Sequence, residues 1–86
     1  MRIMYNVYVL RSLLNGKFYT GYTGDLEKRL KQHNSGHGGR FTKLNKPFEL
    51  VYKEDFEDKY VAQKRERELK TGKGRYFVKK IVKQMI

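Results

Sequence analysis

Four side chains between residues 8 and 33 can act on a phosphate: Tyr8, Tyr19, Arg29 and His33. Tyrosine and histidine can pass a proton during hydrolysis when their surroundings tune them. Arginine presents a planar fork of donors that matches phosphate oxygens. Singly, each has a commoner use. Strand tyrosines pack, helix arginines face solvent, and a lone histidine is more often an interior or surface residue than a catalytic one. The information lies in whether the local elements bring the four together.

Residues 5–12, YNVYVLRS, are rich in β-branched and aromatic types and read as a strand. Asn15-Gly16 is a strong hairpin signal, because a type I′ turn needs two residues that tolerate positive φ. Residues 17–23, KFYTGYT, are the returning strand. A two-residue loop at Asn15-Gly16 sets Ser12 opposite Tyr19 and Tyr8 opposite Thr23, so Tyr8 and Tyr19 share a face. A four-residue loop keeps that parity and brings them closer, while a three-residue loop breaks it. Leu10 and Gly21 fall on the same face, and Gly21 leaves an open spot between larger neighbours.

DLEKRLKQHN (25–34) reads as a helix, capped by Thr23 or Asp25, with acidic residues in its first turn. Leu26 and Leu30 should point at the sheet. Arg29 and His33, four apart, sit together at the margin of that buried side. A site wedged between helix and sheet has this pattern.

SGHGGRFTKLNKP (35–47) reads as the one loop-like region, rich in glycine and cations. FELVYKEDF (48–56) reads as a third strand, with Phe48, Leu50 and Tyr52 alternating against Glu49, Val51 and Lys53. Asp58 can cap a second helix running to about Thr71, with Gly72 placed to end it. A third helix, about 75–85, buries Phe77, Val78, Ile81, Val82 and Met85 and leaves Lys79, Lys80 and Lys83 off that stripe. The order is ββαβαα: a small three-stranded antiparallel sheet flanked by helices, an α+β fold in a single domain over 1–86.

Twenty Lys and Arg against nine Asp and Glu give a net charge of +11 in 86 residues. A charge so large on so small a chain favours a polyanionic partner, usually nucleic acid. Cysteine is absent, which excludes disulfides, a thiolate nucleophile and Cys-based metal sites. Two histidines are too few for a His-rich cluster. Any metal should be a hard ion held by carboxylate and water, Mg²⁺ or Mn²⁺. No segment reaches the roughly 18 apolar residues of a membrane span, and the N-terminus lacks a signal-peptide cleavage pattern. The expectation is a cytoplasmic monomer with no membrane association.

Val7-Tyr8, Tyr19-Thr20-Gly21, then Arg29 and His33 on the next helix, together resemble the GIY-YIG nuclease domain. HNSGHGGRFTKLNKPFELVY and VAQKRERELK resemble its small single-domain, UvrC-like branch (UPF0213 type), and the likeness covers nearly the whole chain. The first motif's glycine and isoleucine are here Asn6 and Val7, and the second motif's middle residue is Thr20. An asparagine that some members place beyond the metal-binding residue is missing, since none follows Asn45.

The resemblance implies a metal-dependent endonuclease acting on DNA, with branched or damaged sites, as in DNA repair, among the substrates it suggests. It implies a metal-binding glutamate on the second helix, four residues after an alanine, which fits Ala62 and Glu66. A helical wheel alone leaves Glu66 and Glu68 both open, on opposite borders of a stripe set by Val61, Ala62 and Leu69, with Arg65 snorkelling within it. Tyr8 becomes the general base, His33 or Tyr19 a proton relay, and Arg29 the stabiliser of phosphoryl charge. His37, Arg40, Lys43 and Lys46, set among Gly36, Gly38 and Gly39, become the backbone-gripping loop, sequence-blind and salt-sensitive. A plain flexible connector is the other reading of that segment. The module carries no helix-turn-helix or zinc finger, so a protein partner is one route to targeting. The alternative is a non-catalytic basic nucleic-acid-binding module that keeps the fold; RNA rather than DNA is a further one, resting on charge.

Overall fold

The computed structural model describes residues 3–37 and 39–84. The antiparallel sheet has the order β2-β1-β3, with β1 over Tyr5–Ser12, β2 over Phe18–Thr23 and β3 over Phe48–Phe56. Helices α1 (Leu26–Ser35), α3 (Lys59–Leu69) and α4 (Gly72–Gln84) flank it in the expected α+β order, with one further short helix, α2 (Arg40–Asn45), between α1 and β3.

The hairpin closes through four residues, Leu13 to Gly16, rather than two. Ser12 N donates to Lys17 O at 2.8 Å and Gly16 N to Ser12 O at 2.9 Å. The buried Ser12 hydroxyl widens the turn by accepting from the amides of Leu14 (3.1 Å) and Asn15 (3.3 Å). Parity survives, and Tyr8 moves opposite Gly21 with Leu10 opposite Tyr19.

Central strand β1 divides the molecule into two layers. Val7 and Val9 face α3 and α4, packing with Ala62, Leu69, Val78 and Val82. Tyr8 and Leu10 face α1, packing with Phe48, Tyr19, Leu26 and Leu30. Each fully buried side chain of this size contributes about 1.5–3 kcal/mol. The strand expectation for 48–56 holds, but its alternation does not. A bulge opposite Val9 and Leu10 inserts Val51, so Tyr52 pairs with Val9 on the α3–α4 side while Phe48 and Leu50 pair with Ser12 and Leu10 on the other.

Asp25, not Thr23, caps α1, its carboxylate accepting from Lys28 N at 3.1 Å. Asp58 caps α3 as expected. Gly72 does not end that helix: Lys70 does, and Gly72 begins α4. The tight corner needs Gly74, which is buried where α4 crosses Leu69. A Cβ there would overlap the Glu68 carbonyl and the Leu69 backbone. On α4, Val78 and Val82 are buried, Ile81 is half-buried and Phe77 stays largely exposed, while Met85 lies outside the described residues. Val61 is also exposed, so the α3 stripe narrows to Ala62 and Leu69. Arg65 does not snorkel to water. It pairs with Glu54 (2.8 Å) and Glu68 (3.2 Å) and lies 5.4 Å over the Phe77 ring.

The 35–47 segment is not a plain connector. Helix α2 is anchored by Thr42 and Asn45, both buried. Asn45 accepts from Ser12 Oγ (2.5 Å) and Asn15 Nδ2 (2.6 Å) and donates to Phe41 O (2.7 Å), fixing α2 to the hairpin. Asn34 bonds both backbone groups of Phe48, accepting from its N–H at 2.7 Å and donating to its carbonyl at 3.4 Å. These anchors are polar and carry no hydrophobic period, which hid the helix from a reading of the sequence.

Candidate active site

A cleft of about 400 Å³ opens at β2, lined by Tyr8, Tyr19, Arg29 and Glu66, with Tyr22 and Lys59 completing its walls. The hairpin register puts both phenols on one side. The rings of Tyr8 and Tyr19 are 6.3 Å apart, and both contact His33, at 5.9 and 4.9 Å.

Gly21 makes this possible. A Cβ there would stand 2.6 Å from the Tyr8 hydroxyl, 2.8 Å from its Cζ and 3.3 Å from Tyr19 Cε1. Side chains do not tolerate such distances, so the phenol occupies the room that the glycine leaves.

Glu66 reaches the cleft from α3. Lys59, Gln63, Glu66 and Lys70 follow one another at helical spacing and form the face turned toward β2. Gln63 Nε2 donates to Tyr22 Oη at 2.6 Å, and Glu66 pairs with Lys70 at 3.5 Å. The Glu66 side chain is 17% exposed. Glu68 is 51% exposed, pairs with Arg65 and does not line the cleft. The wheel alone left the two glutamates equivalent; the packing puts Glu66 at the cleft and Glu68 away from it. Lys59 escaped the sequence reading, although its seven-residue spacing from Glu66 was a usable signal. Tyr22 also escaped it: the residue alternates with Tyr19 and Gly21 along β2 and packs against the α3–α4 core, yet still reaches the cleft wall.

His33 is fully buried beneath the phenols, its Nε2 2.9 Å from the Tyr8 hydroxyl. Burial, and then the Arg29 charge, lower its pKa and keep the ring neutral. Tyr8 shifts the other way. Burial pushes its pKa far above the ordinary value of 10.0, the Tyr19 and Glu66 charges push it further, and Arg29 opposes them. At rest the pair is a neutral phenol against a neutral imidazole. His33 Nδ1 is buried with no hydrogen-bond partner among the described residues. The role of Nε2 depends on the tautomer: it can accept from Tyr8 or donate to it.

His37, Arg40, Lys43 and Lys46 do not line the cleft. All four are exposed, along and beside α2, with His37 Nδ1 2.9 Å from Ser35 Oγ. Gly36 ends α1 in the left-handed region and lies beside the Lys43 and Lys46 side chains; Gly38 is outside the described residues.

Among the described residues no group of three or more His, Asp or Glu could enclose a metal. The carboxylate that lines the cleft is Glu66, a donor of the kind a hard divalent ion accepts while keeping most of its waters.

The sheet brings two phenols, α1 an arginine and α3 a glutamate to one cleft. Residues 4–80 match the GIY-YIG catalytic domain, and the chain belongs to that family, whose members are generally nucleases. It is of the UPF0213 type. It is 51% identical over 57 residues to a UPF0213 protein of Staphylococcus saprophyticus, covering 66% of this chain and 70% of that one. It is 45% identical over 65 residues to a UPF0213 protein of Staphylococcus aureus strain Mu3, covering 76% and 78%. The solution NMR structure of a UPF0213 protein from Bacillus halodurans superposes with a TM-score of 0.56 at 34% identity, covering 91% of this chain and 84% of that one. Family membership implies nucleic-acid binding and a divalent metal. No helix among the described residues is long and apolar enough to cross a membrane.

Proposed function

We propose that this chain is a metal-dependent endonuclease that hydrolyses DNA phosphodiester bonds. The observation that carries the reading is the convergence of Tyr8, Tyr19, Arg29 and Glu66 on one cleft, with His33 bonded behind Tyr8.

Glu66 would hold Mg²⁺ or Mn²⁺, which supplies an activated water and polarises a phosphoryl oxygen. The chain's own groups do the rest. Tyr8 accepts the proton of the attacking water at its hydroxyl oxygen as its own proton passes to His33 Nε2. Arg29 fixes the phosphoryl oxygens and offsets the charge they gain. Tyr19 packs against His33 and holds the relay in line. His37, Arg40, Lys43 and Lys46 add sequence-blind grip outside the cleft.

The test is nicking of plasmid and branched DNA with and without Mg²⁺ or Mn²⁺. Activity should need the ion and vanish in Glu66→Ala and Tyr8→Phe. Cleavage that persists in purified Glu66→Ala overturns the assignment. Salt-dependent binding without turnover on any substrate makes the chain a binding module instead.

A further inference from the structure

A second and larger depression, about 620 Å³, runs beside the cleft along the outer edge of β2. The sheet order leaves that edge without a partner strand. Phe18, Phe41, Leu69 and Val78 give the depression an apolar lining, and Lys17, Lys70, Arg75 and Lys79 supply four cations. No acidic side chain lines it. Arg75 and Lys79, one helical turn apart on α4, are both exposed.

Two features join this groove to the cleft. Tyr19 lines both. Lys70, a groove residue, pairs at 3.5 Å with Glu66, a cleft residue. A chain molecule with its reacting phosphate in the cleft therefore has a continuous, cation-rimmed path outward. The 37–46 segment contributes only Phe41 to that path, which stacks on Tyr19 at 5.9 Å.

Resting on the nuclease reading, we propose that this groove is the track for the nucleic-acid strand leaving the cleft. Lys17, Arg75 and Lys79 grip its phosphates, Lys70 stays paired with Glu66 at the junction with the cleft, and Phe41 and Phe18 receive its sugar or base faces. Phosphates on a cationic rim over an aromatic floor are a recurrent arrangement for a polynucleotide strand. The positive lining calls for a polyanion, and continuity with a cleft that takes a phosphodiester selects a polynucleotide over an extended acidic peptide.

The test is fluorescence anisotropy of a labelled oligonucleotide, offered as single strand and as duplex, on the full chain in chelator. Binding is then read without turnover. Two double variants remove the same charge from α4: Arg75→Glu with Lys79→Glu in the groove, and Lys80→Glu with Lys83→Glu away from it. The groove pair should weaken binding about tenfold or more and reduce the slope of log affinity against log salt by about two. The control pair should lose far less. A groove-specific loss on either form of the oligonucleotide supports the track and identifies the form it carries. Equal losses in the two variants, or none in the groove pair, overturn it. Displacement of the oligonucleotide by polyglutamate at matched charge overturns the choice of occupant. Failure of cleavage would sink the nuclease reading and leave a groove-specific binding loss standing. A chain that cleaves while both variants bind alike keeps the nuclease reading and loses the track.

Discussion

The Tyr8 hydroxyl and His33 Nε2 are 2.9 Å apart, with Tyr8 1% exposed and His33 wholly enclosed. Tyr8→Phe removes the bond and leaves a buried ring nitrogen unpaired, at a cost of about 1–3 kcal/mol. Nicking should fall about a hundredfold or more. Urea denaturation and plasmid nicking on the same preparation separate the two effects.

The sign of the His33 shift fixes a pH dependence. Its folded pKa lies below the ordinary 6.5, so the unfolded chain takes up the proton more readily. The stability it confers is complete above 6.5 and is lost as pH falls from there through the folded pKa. The urea midpoint should decline over that window, and His33→Gln should flatten the decline. Glu54 has a similar dependence further into the acid range. Burial raises its pKa, but the hydrogen bonds from Arg65 and Tyr52 and the Arg65 charge outweigh this and leave it lowered. The acid limb of the nicking rate should also lie below 6.5, because His33 accepts a proton only while neutral.

Glu66 and Glu68 are two residues apart and should behave oppositely. Glu66→Gln abolishes metal-dependent nicking; Glu68→Gln leaves it within about threefold, since its exposed pair with Arg65 contributes little. A readout apart from turnover is Mn²⁺ broadening of the Tyr8 and Tyr19 ring resonances. It should appear in the wild type and in Glu68→Gln and be absent in Glu66→Gln.

Gly21 and Gly24 form a second contrasting pair. Gly21→Ala drives a methyl group into the Tyr8 phenol and should cost about 1–3 kcal/mol, with loss of nicking. At Gly24 the same methyl group meets only Tyr5 carbons, at 3.7 Å and beyond, which is ordinary contact. Gly24→Ala should stay within about 0.5 kcal/mol. Chemical denaturation of both variants checks the prediction.

Elements that announce themselves by apolar period and capping chemistry were legible: β1, β2 and β3, the α1 stripe of Leu26 and Leu30, and α3 behind Asp58. The shared face of Tyr8 and Tyr19 followed from parity, which the four-residue loop preserved. Features set by polar tertiary contacts were not. Asn45 ties α2 to the hairpin through hydrogen bonds, and Val51 shifts the strand phase by one residue without any local mark. Gly72 looked like a terminator because glycine commonly ends helices, yet it begins α4; Gly74 carried no signal, and it is there that α4 passes against Leu69 and needs the smallest side chain. The choice between Glu66 and Glu68 depended on which side of α3 meets β2, and no wheel contains that information.

The Asn45 latch makes the reactive cleft answerable to the hairpin loop. Asn45 clasps the hairpin at Ser12 and Asn15, and Phe41, one turn earlier on the same helix, leans on Tyr19. Loosening the clasp would tilt α2 and carry Phe41 away, so Tyr19 would lose the wall that braces it against His33. A substitution at Asn15, which neither lines the cleft nor handles a proton, can thus detune the chemistry by leverage alone.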